Sequence, residues 1–580
     1  MATISRRTFM RRTGAMGGSL AAFGGLQALG AQVAAGQAPG RTSGYGPLVP
    51  KAAQNDPANV LALPADFNFQ VLSRQGVPMS DGNLTPGIFD GMGAFRGRGD
   101  RTILIRNHEN RRSRGEIPVI VPADKRYDPD PTYIAGDTKL IVSRRRAGRN
   151  PDGTPRFVYT VERDFAILGG TDTNCAGGIV GDSWVTCEET VNRGASGLKH
   201  GFNFEVPAFA DGPVKAVPIP QQGRFVHEAV AELDGILYET EDVRITPDPL
   251  TQKRLLGSSF YRFVPTDRDD DDDGDGDDDN DRGRRRGRLG NGRSLVDVRG
   301  KLQALKLRDE FHANMDVGRP VGVPFRVEWV DIDDPDHDDD TDNRRDRQGG
   351  FTPVRVQAQD KGAAFFDREE GIWTDERKGK VFFDCTEGGG GSGDRQGNGQ
   401  VWEYDPRRRT ITLIFQAANL GSGPDDGPAP TLDNPDNLVL VPQTGDIFLQ
   451  EDSPGEQYVR GLTQRGELYD FAMTVTNDTE FCGGVFDPDG QTLYLNQQGD
   501  RLGENEDPQG SPEGRGVTYA IYGPFGRRGR RDDDRGRDDD DRGRGRGRGR
   551  GRDDDDRGNG RGRGRDDDDD RRNGRSRDDD

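Results

Sequence analysis

The sequence predicts an all-β protein: a six-bladed β-propeller with insertions, disordered acidic and Arg-Gly inserts, and a C-terminal tail. Three observations point there. From about residue 61, short apolar runs follow one another, broken by Gly, Asp, Asn and Pro, and long helical periodicity is absent. One pattern recurs six times: a polar or Gly-rich motif, a strand, a tight turn, and a second strand ending on polar or acidic residues. After most repeats a further strand carries aromatic residues at period two, as suits outer blade strands packed between neighbours.

The first residues read as an address. Ser5-Arg6-Arg7-Thr8-Phe9-Met10 is a twin-arginine signal, followed by a weakly apolar, Gly-rich run from Gly14 to Gly30 and by small residues. That run is too short and too rich in glycine for a stable membrane span. Residues 1–38 are therefore expected to be a signal peptide read by the twin-arginine export machinery, with a periplasmic or extracellular destination and no span in the mature protein. This export route carries folded proteins, often with cofactors in place, which favours a metalloprotein.

Residues 39–526 are expected to form the propeller, beginning with an ordered Pro/Gly/Ala lead-in. The first repeat runs from Gly91–Arg96 to Thr102–Ile105 and ends on Asn107-His108-Glu109. The second opens on Asn174-Cys175-Ala176-Gly177-Gly178 and ends on Glu188-Glu189. The third opens on His227-Glu228-Ala229 and ends on Glu241-Asp242. The fourth opens on Arg368-Glu369-Glu370-Gly371 and ends near Glu387. The fifth opens on Asn434-Pro435-Asp436-Asn437 and ends on Glu451-Asp452. The sixth opens on Glu480-Phe481-Cys482-Gly483-Gly484 and ends on Gln497-Gln498. Leu302–Asn314 is the best helix candidate.

Topology turns this list into a site. In a propeller blade the first strand leaves the central channel and the second returns, so the start of one and the end of the other share a mouth. Leading motifs and trailing carboxylates of all six repeats should converge there. The convergence gathers Glu109, Cys175, Glu188, Glu228, Glu241, Arg368, Glu370, Asp436 and Asp452. Acids so concentrated repel one another unless multivalent cations lie among them. Oxygen ligands suit Ca²⁺, and one thiolate among carboxylates suits a transition metal such as iron. Arg368 is the candidate clamp for a phosphate; its alternative role is to neutralise Glu369 or Glu370. Asn174 and Asn437 either give carbonyl oxygens to Ca²⁺ or hold their turns. His108 and His227, each beside acids, read as positioning residues.

Four cysteines (175, 187, 385 and 482) form no CxxC pair. Cys175, in a polar turn, is the expected metal ligand; Cys187 and Cys385, in apolar strands, are core residues or a disulfide. The chain has 580 residues, of which 31% are charged and 31% hydrophobic, with a net charge of −20. That balance argues against nucleic acid as a partner. Much of the charge sits in blocks that cannot bury a core: 267–293, 331–350 and the tail 527–580. Asp273-Gly274-Asp275-Gly276-Asp277 resembles a calcium loop but lacks its closing Glu.

Taken together, N-H-E, T-N-C-A-G-G with C-E-E, H-E-A, Y-x-T-E-D, R-x-E-G, L-D-N-P-D-N-L and the closing E-F-x-G-x-x-F-x-P-D-G-x-T-L-Y-x-N resemble the PhoX family of secreted alkaline phosphatases. The resemblance spans roughly residues 60–500. It implies a six-bladed propeller whose channel mouth holds a cluster of Fe³⁺ and Ca²⁺ and hydrolyses small phosphate monoesters. By motif, Cys175 would bind iron. Glu241, Glu370 and Asp452 would be shared carboxylate ligands, with Glu188, Glu109 and Asn437 as further candidates, and Arg368 would bind the substrate phosphate. Glu369 and Ser453 depart from the family, where proline and glycine are usual. A monomer is expected. The competing reading is a non-enzymatic, calcium-stabilised propeller that binds ligands or attaches to a surface.

Overall fold

A computed structural model of the chain describes residues 44–526, apart from 112–115, 151–152, 249–252, 267–288, 290–293, 338–352, 391–396, 418–431, 454 and 500–513. The expected signal peptide, the calcium-like loop and the tail lie outside the described residues.

The six repeats are six blades. Blade 1 contains Phe89–Arg96, Arg101–His108, Ala135–Arg149 and Pro155–Thr171; blade 2 contains Asn174–Val180, Ser183–Glu188 and Asn203–Pro207. Blade 3 begins with His227–Leu233 and Ile236–Glu241, blade 4 with Glu369–Asp375 and Lys380–Cys385, blade 5 with Pro435–Leu440 and Ile447–Glu451, and blade 6 with Phe481–Phe486 and Thr492–Gln497. Neighbouring strands within each blade are antiparallel. The first strands touch in sequence, blade 1 to 2 to 3 to 4 to 5 to 6 and back to 1, so they close a ring around the channel.

Closure has a specific device. Asn68–Arg74, from the N-terminal side, pairs with Val517–Tyr522 as the outermost strand of blade 6. Strands from the early and late parts of the described fold are thereby held in one sheet. The lead-in is ordered as expected: Leu48–Ala53 and Asp56–Pro64 extend blade 5. Between blades, apolar faces interdigitate. Phe260 stacks on Phe383 at 4.5 Å, Phe366 meets both Phe383 and Trp402 edge-on, and Phe448 stacks on Phe471 at 4.4 Å beside Phe67 and Phe525.

Two expectations need correction. Residues 300–307 are a strand, paired with Tyr261–Pro265 and Pro324–Asp331, and not the start of a helix. Lys301-Leu302-Gln303-Ala304 alternates polar and apolar residues, and period two decides the matter once partner strands are available on both sides. Of the two alternatives for Cys187 and Cys385 the structure has the core one: all four cysteines are free and buried, and these two lie in different apolar clusters. Residues 331–337 are built into the fold, because Ile332 is buried, Lys199 pairs with Asp336 at 2.7 Å, and the His337 ring bonds the Arg224 carbonyl at 2.8 Å.

Candidate metal centre

Strand register builds the channel mouth, and it does so identically six times. The last paired residue of each second strand faces the start of the first strand: His108 opposite Phe89, Glu188 opposite Asn174, Glu241 opposite His227, Cys385 opposite Glu369, Glu451 opposite Pro435, and Gln497 opposite Phe481. The next residue along is Glu109, Glu189, Asp242, Thr386, Asp452 or Gln498. Each donates its backbone N–H to the residue just ahead of its blade, namely Ile88, Thr173, Val226, Arg368, Asn434 or Glu480. A β-bulge then follows in every first strand, which is how sheets re-aim side chains at functional sites.

Four of those leading residues pay in backbone strain. Ile88, Thr173, Arg368 and Asn434 have φ of 45°, 53°, 55° and 48°. The left-handed region costs an ordinary L-residue about 1–2 kcal/mol, and strain repeated at equivalent points around one opening marks a functional site.

The bulge brings Asp90, Cys175, Glu228, Glu370 and Asp436 to the channel from five blades. Ligand atoms of Glu109, Cys175 and Glu189 all lie within 4.8 Å of one another, and so do those of Asp90, Glu480 and Cys482. Cys175 Sγ lies 3.6 Å from Asp90 Oδ2 and links the two groups. Burial raises the Glu228 carboxyl well above its ordinary range, and Asp436, Glu189 and Asp90 push it further. Glu189 is pushed up to about 8, by burial and by Asp242 and Glu109 against the pull of Arg111 and Arg368. Asp436 is pushed up to about 7, by burial and Asp452. The Cys175 thiol is raised by burial and by Asp90.

Both carboxylate oxygens of Glu228 are buried without a hydrogen-bond partner among the described residues. A buried carboxylate without partners is costly, and this one sits among four other acids and a thiol. The donor set fits cations: hard oxygens for Ca²⁺ and a thiol for iron. Arg368 lies across the same mouth. Its Nε and Nη2 donate to Asp242 at 2.9 and 3.0 Å, and Nη2 lies 2.8 Å from Glu370 Oε1.

Of the residues expected at the mouth from sequence, Glu109, Cys175, Glu228, Glu370, Asp436, Asp452 and Arg368 reach it. Glu188 and Glu241 are held elsewhere, and Asn437 stands beside the mouth, donating Nδ2 to Asp436 Oδ2 at 2.9 Å. Glu188 accepts from the His200 ring at 2.7 Å and from the backbone of Asp172, Gly201 and Phe202. Burial alone would lower the His200 pKa, but Glu188 outweighs it and raises it, so the pair forms a buried internal clasp. Glu241 accepts from Tyr261 Oη at 2.9 Å and the Ser259 N–H, with Arg355 at 3.7 Å. Asn437 Oδ1 accepts the Gly483 N–H at 2.9 Å. The neighbours Glu189 and Asp242 take the places of Glu188 and Glu241 at the mouth. Sequence reading also passed over Asp90, Glu480 and Cys482 as ligands; the available signal was repeat register, since Asp90 and Cys482 follow the first paired residue of their blades as Cys175, Glu228, Glu370 and Asp436 do, and Glu480 directly precedes blade 6.

A profile of the family described as alkaline phosphatase PhoX matches residues 43–500. The chain belongs to the PhoX alkaline phosphatase family. With it come the phosphoric monoester hydrolases as its enzyme class. Among solved structures, the chain is similar to Pseudomonas fluorescens PhoX in complex with vanadate, described as a transition state analogue. The two are 18% identical, the match covers 83% of this chain and 98% of that one, and the TM-score is 0.55. It is more distantly similar to a luciferin-regenerating enzyme, at 10% identity, 75% and 92% coverage and a TM-score of 0.31. None of the curated proteins compared matches the sequence.

Proposed function

We propose that this PhoX-family chain is an exported alkaline phosphatase that hydrolyses small phosphate monoesters at a centre of iron and calcium ions in the channel mouth. The observation that carries this reading is the meeting of Asp90, Cys175, Glu189, Glu228, Glu370 and Asp436 around one arginine, with Glu228 buried and unpartnered. Asp90, Glu109, Cys175, Glu189, Glu228, Asp242, Glu370, Asp436 and Asp452 would hold the ions. When bound, such ions neutralise phosphate charge and make a strong oxygen nucleophile available at moderate pH.

The chain's own residues do the rest. Arg368 binds a phosphoryl oxygen through Nη1, the guanidinium nitrogen that Asp242 and Glu370 leave open, and keeps hold as charge builds there. Asp242 and Glu370 fix the guanidinium through Nε and Nη2. The bulged backbone keeps every ligand on a strand or directly next to one, so little reorganises during the reaction. The twin-arginine signal at Ser5–Met10 supports export after folding, and no helix among the described residues is long and apolar enough to cross a membrane.

The test is direct. Purified full-length chain supplied with iron and calcium should hydrolyse p-nitrophenyl phosphate at alkaline pH, EDTA should abolish turnover, and Cys175→Ser should lower it by about a hundredfold or more. Metal-replete protein with intact Cys175 and no turnover would end this reading.

A further inference from the structure

Two arginines at the mouth have no part in the function proposed above. Arg111 and Arg244 stand at repeat-equivalent positions, each two residues past the mouth carboxylate of its blade: Glu109 in blade 1 and Asp242 in blade 3. Arg111 donates Nε and Nη2 to Glu109 Oε1 at 3.1 and 2.6 Å, and its Nη2 lies 3.5 Å from Glu189 Oε2. Arg244 pairs with Glu387 Oε1, which lies 3.7 Å from Arg368 Nη1.

Shared carboxylates therefore tie both residues to Arg368. Arg244 reaches it across Glu387, and Arg111 reaches it across Glu189 and Asp242, which hydrogen-bond each other. Side-chain exposure rises from 19% at Arg368 to 34% at Arg111 and 52% at Arg244. The three guanidiniums form a graded series from the depth of the mouth to its rim.

Half-exposed ion pairs of this kind contribute little to stability, so stability does not explain two of them at matched positions. The environment suggests another role. A chain of net charge −20 repels anionic substrates at range, and only local positive charge offsets that at the opening. Arg368 and the bound ions serve the reacting phosphoryl group. The leaving group of an ester held there emerges toward the rim, where Arg111 and Arg244 are.

We infer that Arg111 and Arg244 bind a second anionic group on the leaving group, so that the enzyme favours phosphate monoesters carrying another phosphate or carboxylate. This inference rests on the phosphatase reading. Guanidinium groups recognise such anions by paired, charge-assisted hydrogen bonds.

The experiment compares kcat/KM of metal-loaded wild type, Arg111→Ala, Arg244→Ala and the double variant on fructose 1,6-bisphosphate and p-nitrophenyl phosphate. Calorimetric titration with pyrophosphate and with orthophosphate gives a readout independent of turnover, and metal content is measured on every variant. The ratio of kcat/KM for the bisphosphate over the simple ester should fall about tenfold in the double variant, chiefly through KM, and by less in each single variant. Pyrophosphate affinity should fall by a similar factor relative to orthophosphate. An unchanged ratio would overturn the inference, whether both substrates suffer equally through lost metal or neither is affected. Wild type that is metal-loaded but inert on both esters would instead sink the phosphatase reading itself.

Discussion

Two adjacent glutamates divide structure from chemistry at the smallest scale. Glu188 is turned inward to His200 and three backbone N–H groups, while Glu189 faces the ring of acids. Their isosteric variants should behave differently. Glu188→Gln disrupts a buried network of hydrogen bonds to a carboxylate and should cost about 1–3 kcal/mol in urea unfolding, with metal content per folded chain retained. Glu189→Gln should leave stability close to wild type but reduce bound metal and turnover. C-E-E was legible as an acidic pair worth attention, but not which member faces the channel. Side-chain direction alternates along a strand, so a one-residue difference in where pairing ends exchanges the two roles. The same parity separates Glu241 from Asp242 and Asn437 from Asp436. Cys175 and Glu370 were legible because Gly-rich motifs mark the bulges themselves.

At the scale of strands, the repeat was legible almost entire, since each blade needs an apolar first strand, a tight turn and a polar end. What could not be read was partnership across long sequence separations. The strand Asn68–Arg74 and its partner Val517–Tyr522 are joined only by closure of the ring, and neither run is distinctive alone. The strand at 300–307 was misread for a similar reason, because its partners had to be known before period two outweighed helix propensity. Closure predicts a contrast. Phe69, fully buried with its ring 5.6 Å from Tyr519, sits on the closing strand. Phe69→Ala should cost about 3–5 kcal/mol. Val49 on the added edge of blade 5 is 42% exposed, and Val49→Ala should cost less than about 0.5 kcal/mol. Urea denaturation of the two variants checks this; equal costs would mean that the ring is not held shut at blade 6.

For the molecule as a whole, the mouth sets how stability depends on pH. Stripped of cations, the folded chain holds Glu189 at about 8 and Asp436 at about 7, well above the ordinary carboxylate range, because burial and neighbouring acids disfavour ionisation. Between the ordinary range and those values the folded state binds more protons than the unfolded chain, so stability falls as pH rises. EDTA-treated protein should therefore melt at progressively lower temperature from about pH 5 to pH 8. Added Ca²⁺ should restore more stability at pH 8 than at pH 5, since cations replace the protons that the acids have lost. A thermal-melt series across that window, with and without Ca²⁺, checks both slopes.

The central claim is that acids drawn from different blades are held together at one mouth by cations. Elemental analysis of purified full-length protein, beside Glu228→Gln, tests it most directly. The account predicts stoichiometric iron with more than one calcium per wild-type chain, and a clear loss of metal in the variant. Wild-type protein that is folded and free of bound metal, with Glu228→Gln indistinguishable from it, would contradict the account.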